Sequence, residues 1–350
     1  MKSVLIDTYK IKNLNSGLGQ FSLNFVNTLA QLAPEHWEIN CLVPDKNEDQ
    51  LNTRIRQSKA SFVNRVFSNA RKFDLWHSLH QFPSHLPNKA SKQILTIHDL
   101  NFLVEKSGGK RAKYLKQLQK GVDSADVITT ISNYSKQEIE SHLDLKGKEV
   151  RMIYNGVSIE QHVDSIKPKY IGDKKFFFSI GILSRKKNFH TLLSVARQLE
   201  DSVLVLAGNH ETSYGNEIKS LIKEMQLEEK VILPGMISES DKNWLYANCE
   251  ALFFPSMAEG FGLPVIEAMM YGKPVFLSRY GSLPEIGGKL AFYFDDFSEE
   301  IMISTIKNGL SDIKNNPKKF KQDCINYSNK FSWESCINQY IDLYTEVLNP

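Results

Sequence analysis

Short apolar runs alternate with segments whose apolar positions recur every three to four residues, nearly from end to end of the chain. In the first half, runs at 4–7, 38–43, 73–77, 93–98, 126–131 and 150–154 read as strands. Between them, 18–32 carries Phe21, Phe25, Leu29 and Leu32 on one helical stripe, and helical patterns recur at 110–122 and 134–143. Residues 156–174 break the rhythm. They are polar, mixed in charge and contain Pro168 and Gly172, and they read as an interdomain linker. A second series follows at 176–181, 203–208, 231–234, 251–255, 275–278 and 291–294. Several of these are unbroken apolar runs, as strands covered on both faces require. From about 298 to 348 the pattern is helical only. Strand–helix alternation predicts parallel sheets, here in two α/β halves: 1–165 and 170–330.

Composition narrows the function classes. At 350 residues, with 41% apolar and 24% charged residues, the chain can build two cores without disulfides or structural metal. A net charge of +3 gives no reason to expect nucleic acid as a partner. Cys41, Cys249, Cys324 and Cys336 show neither zinc spacing nor a Cys-x-x-Cys pair, so buried free thiols in a reducing compartment are expected. The opening MKSVLIDTYK lacks the features of a signal peptide, and no apolar run approaches a membrane span; a cytoplasmic location is expected.

Chemistry concentrates at 251–274. The segment opens as a buried strand and passes through a loop holding Glu259, Gly260, Phe261, Gly262 and Leu263. It then enters a helix with Pro264 in its first turn, Glu267 about one turn inside, and Gly272 and Pro274 at its end. The positive end of that helix suits a diphosphate. Two carboxylates beside it suit sugar and ribose hydroxyls, since each accepts two charge-assisted hydrogen bonds. A second basic site, Arg185-Lys186-Lys187, lies between a strand and a helix, where cations can neutralise a diphosphate. A solvated turn is the plainer reading of those three residues, and a satisfied strand-end histidine is the plainer reading of His98.

Glu259 and Glu267 resemble the E-x7-E motif of retaining GT-B glycosyltransferases of the group 1 mannosyl/glucosyl type. The flanking Phe254-Pro255-Ser256, the run 259–264 and Gly281-Ser282-Leu283-Pro284-Glu285 resemble the same family, from Phe178 to Phe331-Ser332-Trp333-Glu334. The first half is similar more loosely, at Ser16-Gly17-Leu18-Gly19, Thr96-Ile97-His98-Asp99-Leu100 and Tyr154-Asn155-Gly156-Val157. The resemblance implies two facing Rossmann-like domains with the active site in the cleft between them. The first would bind the acceptor and the second the nucleotide sugar, with a terminal helix, 331–350, crossing back to the first. It implies hexose transfer with retention, by front-face attack in which the departing phosphate oxygen takes the acceptor proton. By the same resemblance Glu259 meets the donor sugar, Glu267 the ribose, and Lys187, with Lys186, the phosphates. The loop Gly260–Leu263 and the glycines Gly17 and Gly19 face sugar or phosphates, and His98 lies near the reacting sugar. Family members that place Arg directly after the glycine differ from this chain, which has Ile182 there, and Arg185 is the candidate replacement.

GDP-mannose is the first expectation for the donor and a UDP-hexose the second. The acceptor is expected to be a glycan or lipid-linked glycan of a surface polysaccharide such as lipopolysaccharide. No cofactor or metal is expected, because the chain has no Asp-x-Asp pair and basic groups supply the counter-charge. A sugar-nucleotide epimerase or a non-catalytic binding protein are the alternatives; a loop from Thr8 to Ser16 is too long for a dehydrogenase fingerprint. Lys113, Lys116 and Lys120, with Lys110 and Arg111 nearby, share the exposed side of a short helix. They form either a solvated face or a peripheral contact with an anionic inner membrane.

Overall fold

The computed structural model describes residues 2–14, 16–44, 48–59, 72–83, 90–158 and 166–349. The chain divides into two compact units, Met1–Gly156 with Phe331–Pro350, and Val157–Lys330. The division falls just inside the expected linker, whose residues 159–165 lie outside the described ones.

The first unit is built on a parallel sheet of β1 (Lys2–Asp7), β2 (Trp37–Val43), β3 (Arg56–Lys59), β4 (Phe73–Ser78), β5 (Ala90–Ile97), β6 (Val127–Thr130) and β7 (Val150–Met152). Its order is β3-β2-β1-β4-β5-β6-β7. β3 was not expected from the sequence: Arg56-Gln57-Ser58-Lys59 has no apolar period, and it survives as a strand because it is the edge, where charged residues are tolerated. Helix Gly17–Leu32 starts where Ser16 Oγ accepts the Gly19 N–H at 3.1 Å. Phe21, Phe25 and Leu29 on its inner face are buried, but Leu32, expected on the same stripe, is 38% exposed at the last turn.

The terminal helix, Trp333–Leu348, belongs to this unit. Ser332 caps it through the Ser335 N–H at 3.1 Å, and Ile337, Tyr340, Tyr344 and Val347 line its buried stripe. Tyr340 packs against Phe25 and Tyr344 against Trp37, with ring centroids 4.9 and 6.0 Å apart. Beneath them runs a buried polar chain. His77 Nδ1 meets the Tyr344 hydroxyl at 2.5 Å and His77 Nε2 meets Thr96 Oγ1 at 2.7 Å; Thr96 continues to Thr129 Oγ1 at 2.7 Å. These bonds tie the helix to β4, β5 and β6 and satisfy groups that would be costly to bury alone.

Helix Gly108–Ser124 buries Leu118 and Val122 and leaves Lys110, Arg111, Lys113, Lys116 and Lys120 exposed. Among the described residues, no helix is long and apolar enough to cross a membrane. The four cysteines are free and buried.

The second unit holds β8 (Lys175–Ile180), β9 (Ser202–Ala207), β10 (Val231–Gly235), β11 (Leu252–Phe254), β12 (Val275–Leu277) and β13 (Phe292–Tyr293), in the order β10-β9-β8-β11-β12-β13. The apolar runs that nucleate it are buried on both faces, and Phe177 stacks on Phe253 with centroids 4.7 Å apart. Both sheets are parallel, as the alternation predicts, and both grow outward from a central strand in a Rossmann-like order.

Tyr344→Phe removes the hydroxyl that satisfies the buried His77 Nδ1. The expected loss is about 1–3 kcal/mol of stability, read as a lower urea midpoint of the full chain. A midpoint equal to wild type would show that the bond contributes nothing.

Candidate active site

Each sheet reverses its direction of growth once, between β1 and β4 in the first unit and between β8 and β11 in the second. Ligands of open parallel sheets bind outside the carboxyl ends of the strands at such a reversal. In the second unit the two segments that leave this point carry Lys187 and Glu259.

After β8 the chain passes Gly181 and makes a short 3-10 turn, Arg185–Lys187, which ends at Asn188 in the left-handed region (φ 58). Gly181 has φ +151, and a Cβ there would lie 2.9 Å from Lys187 Cε; the glycine makes room for the lysine side chain to fold back over the strand end. Lys187 Nζ sits 4.6 Å from the centre of the Phe254 ring, at the end of β11. After β11 the chain reaches Glu259, whose Oε1 accepts from Lys187 Nζ at 2.6 Å and from Ser256 Oγ at 2.6 Å. Both charged side chains are 13% exposed. The two segments are also joined through the backbone: Lys186 O accepts the Met257 N–H at 2.6 Å. The Glu259 carbonyl accepts from Ser282 N and Ser282 Oγ, each at 3.1 Å. Gly281, at φ +63, allows this approach, since a Cβ would stand 2.7 Å from Glu259 O.

Gly262 (φ 102) turns the loop into helix Leu263–Met270, which has Pro264 in its first turn and no side-chain cap. Glu267, on this helix, accepts from the Tyr246 hydroxyl at 2.7 Å and lies 3.4 Å from Lys242 Nζ. Lys242 also pairs with Glu239 at 2.8 Å. Burial and the neighbouring Glu267 carboxylate together push the Tyr246 hydroxyl well above its usual range, so it remains a donor.

Of the expected basic group, only Lys187 meets Glu259. Arg185 is exposed and pairs with Glu217 at 2.6 Å. Lys186 contributes its carbonyl to the link with Ser256 and Met257.

In the first unit His98 follows β5. Its Nε2 faces the Leu79 carbonyl at 2.8 Å, so Nε2 carries the proton and Nδ1 keeps its lone pair. Its ring meets Phe21 edge-on at 4.8 Å. A Cβ on Gly19 would stand 2.1 Å from Asn13 O, so that glycine lets the helix start close against the preceding loop; Gly17 has open space around it. Sequence reading missed Ser256, Tyr246 and Lys242. Ser256 stood inside the quoted Phe-Pro-Ser run, three residues before Glu259; the other two lie on helix Glu239–Asn248, with no local signal.

Comparison with known proteins is consistent across the chain. The model of glycosyl transferases group 1 matches residues 162–331 and that of glycosyltransferase family 4 matches residues 35–161. O-antigen chain mannosyltransferase B of Escherichia coli is 26% identical, over 97% of this chain and 99% of that protein. O-antigen chain mannosyltransferase RfbU of Salmonella typhimurium is 22% identical, over 87% of this chain and 90% of that one. Among solved structures, Anabaena HepE in complex with UDP-glucose superposes with a TM-score of 0.76 at 18% identity, covering 99% of this chain and 100% of that one. Sucrose-phosphate synthase of Thermosynechococcus elongatus gives 0.74 at 17% identity, covering 99% of each. These superpositions identify the fold as GT-B.

Burial pushes His77 and His80 down to about 3 and His98 to about 4. The unfolded chain takes up these protons near pH 6.5, so acidification below 6.5 favours unfolding, by up to about 1.4 kcal/mol per pH unit for each histidine. Asp7 has the opposite sign. Burial raises it to about 6, so the folded state holds a proton that the unfolded state has lost. One gain against three losses leaves a net penalty, and the melting temperature is expected to fall between pH 7 and pH 5. A flat or rising profile would contradict the buried neutral histidines.

Proposed function

Since the chain belongs to the group 1 glycosyltransferases, we propose that it moves a mannosyl residue from GDP-mannose, with retention, to a glycan or lipid-linked glycan during surface polysaccharide synthesis. The observation that carries the chemistry is the contact of Lys187 with Glu259 at the strand reversal. Full-length likeness to O-antigen mannosyltransferases supports the sugar and the acceptor class. Structures of a neighbour holding UDP-glucose favour a second reading, a UDP-hexose donor.

In this reading the donor replaces an internal ion pair with two external ones. The diphosphate takes Lys187, the sugar hydroxyls take Glu259, and Ser256 keeps the carboxylate oriented. The ribose displaces the Lys242 contact from Glu267, while Tyr246 holds the other oxygen. The loop Gly260–Leu263 and the helix N-terminus after it add positive potential where the leaving diphosphate gains charge. The C1–O bond to the diphosphate breaks as the acceptor oxygen bonds C1 from the same face, and the acceptor proton passes to the departing phosphate oxygen. Positioning and leaving-group electrostatics supply the rate, so no protein nucleophile and no metal are required. Gly17, Gly19 and His98 are assigned to the sugar and phosphates of the same donor. Arg185 and Lys186 are assigned a weaker, longer-range share of the diphosphate's counter-charge. The exposed lysines of helix Gly108–Ser124 support peripheral attachment to an anionic inner membrane surface from the cytoplasm.

Glu259→Gln keeps the size of the side chain but removes the charge that orders Lys187 and the sugar. Turnover is expected to fall at least tenfold, the equivalent of one lost charge-assisted contact of about 1.5–3 kcal/mol. Lys187→Ala should weaken both donor binding and turnover, because the charge it meets grows during departure. Wild-type rates in either variant, measured as mannose released from GDP-mannose, would remove the pair from the reaction.

The donor base is readable by thermal shift in buffer containing EDTA. GDP at 100 times its Kd is expected to add about 2.7 kcal/mol of stability. A larger shift with UDP selects the UDP-hexose reading, and no shift until magnesium is added overturns the metal-free one.

A further inference from the structure

The carboxyl edge of the first sheet holds a group of polar side chains to which the proposed donor contacts assign no role. Asp7 closes β1 and Ser78 closes β4. They are register partners across the strand reversal, so their side chains emerge on the same face of the sheet. Asp7 is 7% exposed and Ser78 4%. Asp7 Oδ1 accepts the Tyr9 N–H at 3.1 Å. Its Oδ2 and the Ser78 hydroxyl have no hydrogen-bond partner among the described residues. Lys10, half-buried, lies within electrostatic range of Asp7 and of His80, and forms no ion pair with the carboxylate. The His80 ring is 6.4 Å from that of His98.

Asp7 Oδ2 and the Ser78 hydroxyl oxygen are not among the fully buried unpartnered atoms, so on mostly buried residues they remain accessible at the sheet edge, where a ligand can bond them. The chemistry of these groups selects the ligand. A carboxylate repels a second phosphate, and burial that already raises the Asp7 carboxyl makes a further negative charge beside it costly. A neutral polyol fits: a carboxylate accepts from hydroxyl groups, while an ammonium and a serine hydroxyl donate to their oxygens.

We propose that Asp7, Ser78 and Lys10 form a hydroxyl-binding subsite for a neutral sugar ring of the acceptor, at the strand reversal of the first sheet. Asp7 accepts one acceptor hydroxyl, and Ser78 and Lys10 donate to neighbouring oxygens. The assignment rests on the reading that the chain glycosylates a glycan, and it names the residues of the first unit that read one of its rings.

The test is kinetic, on the full chain, with octyl α-D-mannoside and its four monodeoxy analogues as acceptors and GDP-mannose as donor. Wild-type transfer to octyl mannoside reports on the underlying reading, and the ratio of variant to wild type reports on Asp7. Asp7→Asn keeps an oxygen for the Tyr9 N–H, so the local turn is preserved. It is expected to raise the acceptor KM at least tenfold while the Kd for GDP, measured by calorimetry, stays within twofold. One deoxy analogue should already carry that KM penalty in the wild type and suffer no further penalty in Asp7→Asn, because a site built for a hydroxyl rejects the analogue that lacks it. Ser78→Ala should raise KM by a smaller factor and gives an independent reading if the aspartate variant folds poorly. An unchanged acceptor KM in both variants, a loss confined to kcat, or a penalty spread equally over all four deoxy analogues would overturn the subsite.

Discussion

Lys187 and Glu259 arrive from two strands that the chain order separates by 72 residues, and each needs the other to occupy its position. Taking either charge most of the way out of water alone would cost several kcal/mol, whereas together, with Ser256 on the same oxygen, they are tolerated. Much of the local backbone serves that contact. Gly181 clears space for the lysine stem, Gly281 lets Ser282 grip the Glu259 carbonyl, and Lys186 O ties one loop to the other. On the proposed reading a pair built this way selects its ligand. An incoming molecule must offer negative charge to the lysine and hydroxyl groups to the carboxylate at once, or it strands a charge in a half-dry site. A nucleoside-diphosphate sugar carries both within one molecule.

Strand–helix alternation was legible because parallel strands buried on both faces are near-continuous apolar runs, as at 176–178 and 203–207. The failures have physical causes. β3 is polar because an edge strand needs no apolar face, and Leu32, the last residue of its helix, is exposed although Leu29 and Ala30 of the same turn are buried. Glu259, Glu267 and Lys187 were legible through motifs with local spacing. Tyr246 and Lys242 were not, because their link to Glu267 crosses from one helix to another and leaves no period in either. Arg185, the candidate replacement for an arginine after the glycine, lies on a 3-10 turn that sends consecutive side chains in different directions, and it pairs with Glu217.

The last residues of the chain complete the first unit. Gly156 closes one passage between the units, and its missing Cβ leaves room for the Trp333 ring, which would otherwise stand 2.3 Å away. Trp333 in turn lies 5.5 Å from Phe21, and Phe21 meets His98. A continuous aromatic path therefore runs from the two chain crossings to the histidine at the end of β5. The segment that returns from the second unit helps to set the position of a ring whose Nδ1 lone pair is open to a hydroxyl.

The two sheets share a strand order but place different chemistry at their reversals. The second presents a fixed ion pair, and its neighbouring lysine, Lys242, is held cationic by two glutamates despite burial. The first presents histidines held neutral by burial and a carboxyl raised towards the neutral form. On the proposed reading the paired charges of the second sheet meet the donor, whereas His80, His98 and Asp7 of the first are shifted towards their neutral forms, with desolvation the dominant cause at all three. A doubly wound sheet leaves the residues at its carboxyl edge free of ladder constraints, so one architecture can be tuned in both directions by what surrounds those few positions.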